Sequence, residues 1–385
     1  MYESRLRVPG KSPRTACFAL LWLVGAVVLP AIASGQTEEA AGSASGGALA
    51  SEGRLASGDG RTSAGGLAPS GGLVASDIAL LEEAFRLQAE LGSEVWPTWG
   101  PMETPVLYKT GSQEFLIGHP SPPDQFVMTG QTFRGQPVLA AASTDSTFYL
   151  AAFPYEGTMT VVVSRPSPDS DMARWVVLAN HEMFHVWQKR VRPGRVVEPF
   201  VGAHAMEHEL SFPFPYDDDA VLSLLRLDGE EVFLGCSADS LPPATARRTV
   251  GLLRHVDQLG PSVFSDSLAF VYKKWMEWHE GVARYTERSL ALLASDDTPY
   301  SPGEAFAREF PEASFEGLRD TYASDLNPIR FVGEGVSGRM AFYYLGMGKA
   351  YLLDRLLPEW KAQYFEKDLD ALIAEAESAP MCQVD

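Results

Sequence analysis

Cysteine is scarce in this chain, and its scarcity excludes a class of protein. Only 3 of the 385 residues are cysteines, which is too few for a small domain held together by disulfides. Cys17 lies in the N-terminal apolar run described below, so Cys236 and Cys382 are the two that bear on the folded protein. They can form one disulfide or remain free thiols, and their spacing does not suit a metal site.

Positive charge is also in short supply. The chain has 31 Lys and Arg against 50 Asp and Glu, a formal net charge of -19. Binding to nucleic acid or to an anionic membrane without sequence preference needs a positive field, so we exclude nucleic acid as a partner. Beyond residue 33 no apolar run has the length of a membrane span.

The N-terminus has the features of an export signal. Four basic residues precede an apolar run at 17–29, and small residues follow it: Arg5, Arg7, Lys11, Arg14, then Ala31 and Ala33. We therefore predict a signal peptide over 1–33 and a secreted or periplasmic protein, with an uncleaved membrane anchor as the alternative. Residues 34–76 are rich in Gly, Ser and Ala and predict a flexible linker.

A single α+β domain is predicted for 77–385. Its first part, 77–168, begins with a helix for which Asp77 is the expected N-cap and Gly92 the residue past the end. Short runs rich in Val, Phe, Tyr and Thr then predict a small twisted sheet, with 148–152 and 158–164 the clearest strands. The second part, 169–385, is mostly helical, with helices expected near 171–191, 200–210, 219–235, 243–259, 262–292, 336–356 and 358–378.

The sharpest signal is His181-Glu182-Met183-Phe184-His185. On a helix, residues four apart share a face, so both imidazoles can reach one metal ion. Zinc is the metal that two such histidines favour, and Glu182 is then placed to act as general base toward a water. A zinc site of this kind needs a third protein ligand and one open position.

The run around Glu280 resembles the gluzincin group of metallopeptidases. Glu280, Gly281, Ala283 and Tyr285 match the group's Glu-Gly-x-Ala-x-Tyr element, whose Glu is the third zinc ligand. The resemblance implies a zincin-like fold with the metal site where the sheet and the helical half meet. The small Gly281 and Ala283 are expected to let this helix approach the metal-bearing helix. His204, His208 and Glu207 remain an alternative source of the third ligand.

One position departs from the group. Arg284 stands where thermolysin-like relatives place an Asp that orients a histidine, so that carboxylate must come from elsewhere. Glu277, one helical turn before Glu280, is the candidate.

Tyr343-Tyr344-Leu345-Gly346 is similar to the Tyr-x-x-Gly element of gluzincin aminopeptidases. There the tyrosine donates a hydrogen bond to the oxyanion, which implies that role for Tyr343, with Tyr344 as the fallback. The predicted function is an exported zinc peptidase acting on peptides or proteins. A zinc-binding or interaction protein that has the scaffold but little or no activity is the alternative.

Overall fold

The computed structural model describes residues 71–143, 147–193, 212–237, 242–296, 300–336 and 338–378. Several sequence predictions lie outside these ranges: the signal peptide, most of the linker, the helix expected at 200–210 with His204 and His208, and Cys382. Cys236 is described and is a buried free thiol, whose pKa burial raises to about 12.

The fold is α+β, with a six-stranded mixed sheet followed by a mostly helical second half. The strands are β1 (Val106–Lys109), β2 (Gln113–Ile117), β3 (Val127–Phe133), β4 (Gln136–Ala142), β5 (Leu150–Tyr155) and β6 (Thr158–Ser164). The described helices are α1 (Ala75–Val95), α2 (Met172–Val191), α3 (Asp219–Ser237), α4 (Pro243–Val263), α5 (Ser267–Met276), α6 (Val282–Ala294), α7 (Glu304–Glu309), α8 (Leu318–Ala323), α9 (Met340–Leu356), α10 (Trp360–Gln363) and α11 (Leu369–Ser378). A π-helical segment (Glu277–Gly281) joins α5 to α6, and a 3-10 helix (Ser324–Phe331) follows α8.

The sheet has the order β3-β4-β2-β1-β6-β5, and only β1 and β6 pair in parallel. Two hairpins, β3-β4 and β5-β6, are closed by the dipeptides Arg134-Gly135 and Glu156-Gly157. All four residues have positive φ angles, from 43° to 78°. This is the two-residue turn whose twist matches that of the strands, and glycine at its second position carries no steric cost.

The folded part begins earlier than the sequence predicted. Leu73 is buried, and its backbone N–H donates to the side chain of Gln131, 2.8 Å away. Helix α1 begins at Ala75, so Asp77 is not the N-cap. Its buried carboxylate accepts from the Val74 N–H at 3.2 Å and from the Tyr108 hydroxyl at 2.8 Å, and it pairs with Arg165. Asp77 therefore ties the start of α1 to the sheet.

The structure confirms most of the predicted helices and corrects the bounds of others. The long helix expected at 262–292 begins at Ser267 and is interrupted by the π-helical segment. The helix expected at 358–378 is split into α10 and α11. Gly92 lies inside α1, where a Cβ atom would come within 2.6 Å of the Trp99 carbonyl oxygen; the close approach of the following chain explains the glycine.

Helix α2 is the element that joins the two halves. It packs against β5 and β6 on one side and against α1 and α6 on the others. Within the described ranges, no helix is both long and apolar enough to traverse a lipid bilayer.

Candidate metal centre

Three buried side chains from two elements converge in the interior. His181 and His185 come from α2, and Glu280 comes from the π-helical segment; one ligand atom from each lies within 4.8 Å of the others. The Nε2 atoms of His181 and His185 are 3.5 and 3.3 Å from the same oxygen of Glu280. The structure thus brings together the three residues that the sequence singled out as ligands.

His181 is oriented by a carboxylate that the sequence analysis missed. Its Nδ1 lies 3.1 Å from Glu287 Oε2. A salt bridge to Arg284 and a 2.8 Å hydrogen bond from the Tyr322 hydroxyl hold Glu287 in place. Burial disfavours the charged carboxylate, but Arg284 and His181 outweigh it and lower the pKa of Glu287 to about 2. Because an ionised carboxylate only accepts, Nδ1 of His181 carries a proton, and Nε2 is the ring nitrogen that faces Glu280.

His185 is oriented in the same way by an amide. Its Nδ1 is 2.7 Å from Gln188 Oε1. The Gln188 amide nitrogen donates to the His279 carbonyl at 3.2 Å and to the Tyr364 hydroxyl at 2.6 Å, so its oxygen is the acceptor. Nδ1 of His185 therefore also carries a proton, and Nε2 is the nitrogen that each histidine would offer to a cation.

The carboxylates of the site favour the protonated form of His181. Burial lowers the pKa of His181, but the hydrogen bonds that its imidazole donates to Glu280 and Glu287 overcome this and raise it to about 10. Burial raises the pKa of Glu280, yet the imidazoles of His185 and His181 hold it well below its ordinary value. Two imidazoles and a carboxylate that stabilise a buried cation form a donor set suited to Zn²⁺.

Glu182 follows His181 on α2 and is buried beside the two histidines. Burial raises the pKa of its carboxyl group, while His181 and His185 act in the opposite direction. A carboxylate with a raised pKa is a stronger base than one in water, as a proton acceptor requires.

Glu280 sits in the π-helical segment, a widened helical turn often found at functional sites. Its second oxygen, Oε1, lies 3.8 Å from the guanidinium of Arg339, at the start of α9. The π turn also explains why the prediction for Glu277 was wrong. In a regular α-helix residues three apart share a face, whereas the wider turn rotates Glu277 away from the histidines.

Glu277 instead belongs to a buried ion cluster. Its two oxygens lie 2.6 Å from Lys273 Nζ and 2.8 Å from Lys349 Nζ. Asp228 and Asp370 complete the cluster, 2.7 Å from Lys273 and 2.8 Å from Lys349 respectively. These pairs anchor the π-helical segment to α3, α9 and α11.

Gly281 allows a close approach, but to a different helix from the one predicted. A Cβ atom on Gly281 would overlap the backbone of Gly346 and come within 2.9 Å of the Phe342 carbonyl oxygen, both on α9. This contact brings Tyr343 next to the centre, where its ring stacks on His181 with centroids 6.3 Å apart and planes 14° apart. Tyr344, the fallback, is buried. Burial raises the pKa of its hydroxyl group, Arg284 lowers it and Asp325 raises it further.

Sequence signals existed for two of the missed residues. Glu287 lies seven residues after Glu280, and Gln188 three after His185, both spacings that place side chains on one helical face. For Arg339 the sequence offers no comparable signal.

No protein-family model matches this chain, and neither the curated proteins nor the solved structures compared with it give a match.

Proposed function

We propose that this protein is a zinc-dependent hydrolase that cleaves peptide bonds, built on a zincin-like fold. The observation that carries the proposal is the convergence of His181, His185 and Glu280, with the Nδ1 atom of each histidine fixed by a hydrogen-bond acceptor. The binding of a single cation requires such an arrangement, whereas the packing of a helical core does not. The match to the Glu-Gly-x-Ala-x-Tyr element supports a peptidase among the zinc hydrolases.

His181, His185 and Glu280 would hold the zinc ion, which would polarise the scissile carbonyl and make a water more acidic. Glu182 accepts the proton of the attacking water at its carboxylate and later delivers it to the leaving amine nitrogen. Its burial favours both steps, because the raised pKa brings the carboxyl group closer to the working pH.

Tyr343 is the proposed oxyanion donor. Its ring stacks on that of His181, which places the side chain beside the ligands. A hydroxyl that donates to charge developing on the substrate oxygen contributes mainly in the transition state.

Export through the segment 1–33 is part of the same proposal, and the N-terminal sequence of the mature protein tests it.

Glu182→Gln tests the mechanism most directly. The substitution preserves shape but removes the base, so we expect bound zinc to remain at the parental level while peptide hydrolysis falls by about a thousandfold or more. Zinc content and cleavage of a peptide library are measured on the same preparation. A Glu182→Gln protein as active as the parent would rule out this mechanism.

The alternative is an exported protein that binds zinc without turnover. It predicts one zinc per chain and no cleavage of any library peptide by the parent protein. The buried carboxylate of Glu182 beside the ligands favours the enzyme, because a binding site alone has no need of that base.

A further inference from the structure

A large cavity opens between the sheet and the end of the metal-bearing helix. Its volume is about 900 Å³, within the range of sites for small molecules and peptide side chains. Its walls come mainly from α1, the sheet and α2 and combine apolar with charged residues: Phe85, Ile117, Phe133, Met159 and Val186 beside Glu82, Glu103, Arg134, Lys189 and Arg190.

The cavity lies on the side of α2 that carries the proposed base. Val186 and Lys189 line it, and they stand four and seven residues after Glu182. These spacings place all three side chains along one stripe of the helix. At 1.5 Å per residue the stripe is about 10 Å long, the length of roughly three residues of an extended peptide.

Lys189 is the unusual group in this cavity. Two other cations in the lining have partners: Arg134 pairs with Glu82 at 2.8 Å, and Arg190 donates to the Glu103 carbonyl at 2.6 Å. Lys189 is half-buried and makes no ion pair or hydrogen bond with any residue of the described ranges. Burial alone lowers the pKa of its ammonium group.

An ammonium group without an ion-pair partner among the described residues is unusual in a chain with a net charge of -19, because carboxylates outnumber cations there. Its partial loss of hydration has a cost that a bound carboxylate would offset. Apolar surface with a few charged or polar groups is the usual composition of a ligand pocket, in which the polar groups fix the orientation of the ligand.

We propose that this cavity is the specificity pocket of the peptidase and takes an apolar peptide segment whose carboxylate pairs with Lys189. The inference rests on the proposed function and names its substrate class. These are peptides with a carboxylate within about three residues of the scissile bond, supplied either by an acidic side chain or by a free C-terminus.

Matched peptides test the inference by turnover. One pair differs by Glu against Gln at each position near the scissile bond, and a second pair by a free against an amidated C-terminus. In one of the two pairs, we expect the parent protein to cleave the peptide with the carboxylate about tenfold better, in kcat/KM, than its uncharged match. The preference should fall to about one in Lys189→Met and persist in Lys189→Arg. Lys367→Met is the control that should keep the parental ratio, because Lys367 pairs with Glu375 and does not line the cavity.

A parent with no preference, or a Lys189→Met protein with the parental preference, would overturn the inference. The pair of peptides that shows the preference identifies the source of the carboxylate.

Binding without turnover separates this inference from the proposed function. N-acetylphenylalanine and its amide are titrated into the Glu182→Gln protein, with and without Lys189→Met. We expect the acid to bind about tenfold more tightly than the amide only where Lys189 is present. If this holds while no peptide is cleaved by the parent, the pocket stands and the peptidase assignment fails. If peptides are cleaved and acid and amide bind alike, the assignment stands and the pocket inference fails.

Discussion

The two candidate histidine ligands differ in what orients them. His185 is held by an amide, while His181 is held by the charged pair of Glu287 and Arg284. A carboxylate behind a ligating histidine fixes its tautomer and makes its free nitrogen more basic. The carboxylate that the sequence analysis sought is therefore present, seven residues after Glu280, and Arg284 serves to hold it.

Glu287→Gln should weaken zinc binding by about 10-fold to 100-fold, because the amide keeps the shape but loses the charge. Competition with a chromogenic chelator measures the affinity. Glu375→Gln, a change on an exposed side chain, is the matched control and should leave the affinity at the parental value. Equal zinc affinity in Glu287→Gln and the parent would contradict the assigned role.

Tyr343→Phe should lower kcat by about a hundredfold with little change in KM or zinc content, since the hydroxyl acts on charge that develops in the transition state. Steady-state kinetics on one cleaved peptide gives both constants. Tyr344→Phe is the matched comparison and should keep most of the activity. Loss of activity in Tyr344→Phe instead would transfer the role to that residue.

At the scale of elements, the site depends on one irregular helix and one close crossing. The π-helical segment presents Glu280 to the histidines and Glu277 to the ion cluster. Gly281 and Gly346 allow this segment and α9 to touch through their backbones. A side chain at either glycine would separate the two elements and disturb the position of Glu280.

Gly346→Ala should destabilise the fold by about 1–3 kcal/mol and lower zinc affinity as well, because the added methyl group has no space. Gly251→Ala, in α4, is the control: a Cβ there meets no atom within 4 Å. In a helix, that change should be neutral or stabilise by about 0.5–1 kcal/mol. Urea unfolding of the two variants gives the comparison, and equal stability would show that the crossing is not tight.

Regular elements and local motifs were predictable from the sequence, and long-range packing was not. Helix α2, which carries the two candidate histidine ligands, begins within a residue of its predicted start, and the strand at 158–164 has the predicted bounds. The role of Glu277 was missed because the π turn breaks the α-helical spacing on which the prediction relied. The partner of Gly281 was missed because only the tertiary fold determines which helix lies against a small residue.

At the scale of the whole molecule, the candidate metal centre depends on the helix that packs on the sheet. Helix α2 packs on the sheet and carries the candidate ligands His181 and His185, while the later helical elements carry Glu280 and the residues that hold Glu287. A metal ion bound here would link α2, and with it the sheet on which α2 packs, to the helices that follow.

The most direct test is the zinc content of the full chain, measured by elemental analysis beside Glu280→Ala and His204→Ala. The account predicts one zinc per chain in the parent and in His204→Ala, and none in Glu280→Ala. No zinc in the parent, or zinc lost with His204 and kept without Glu280, would contradict it.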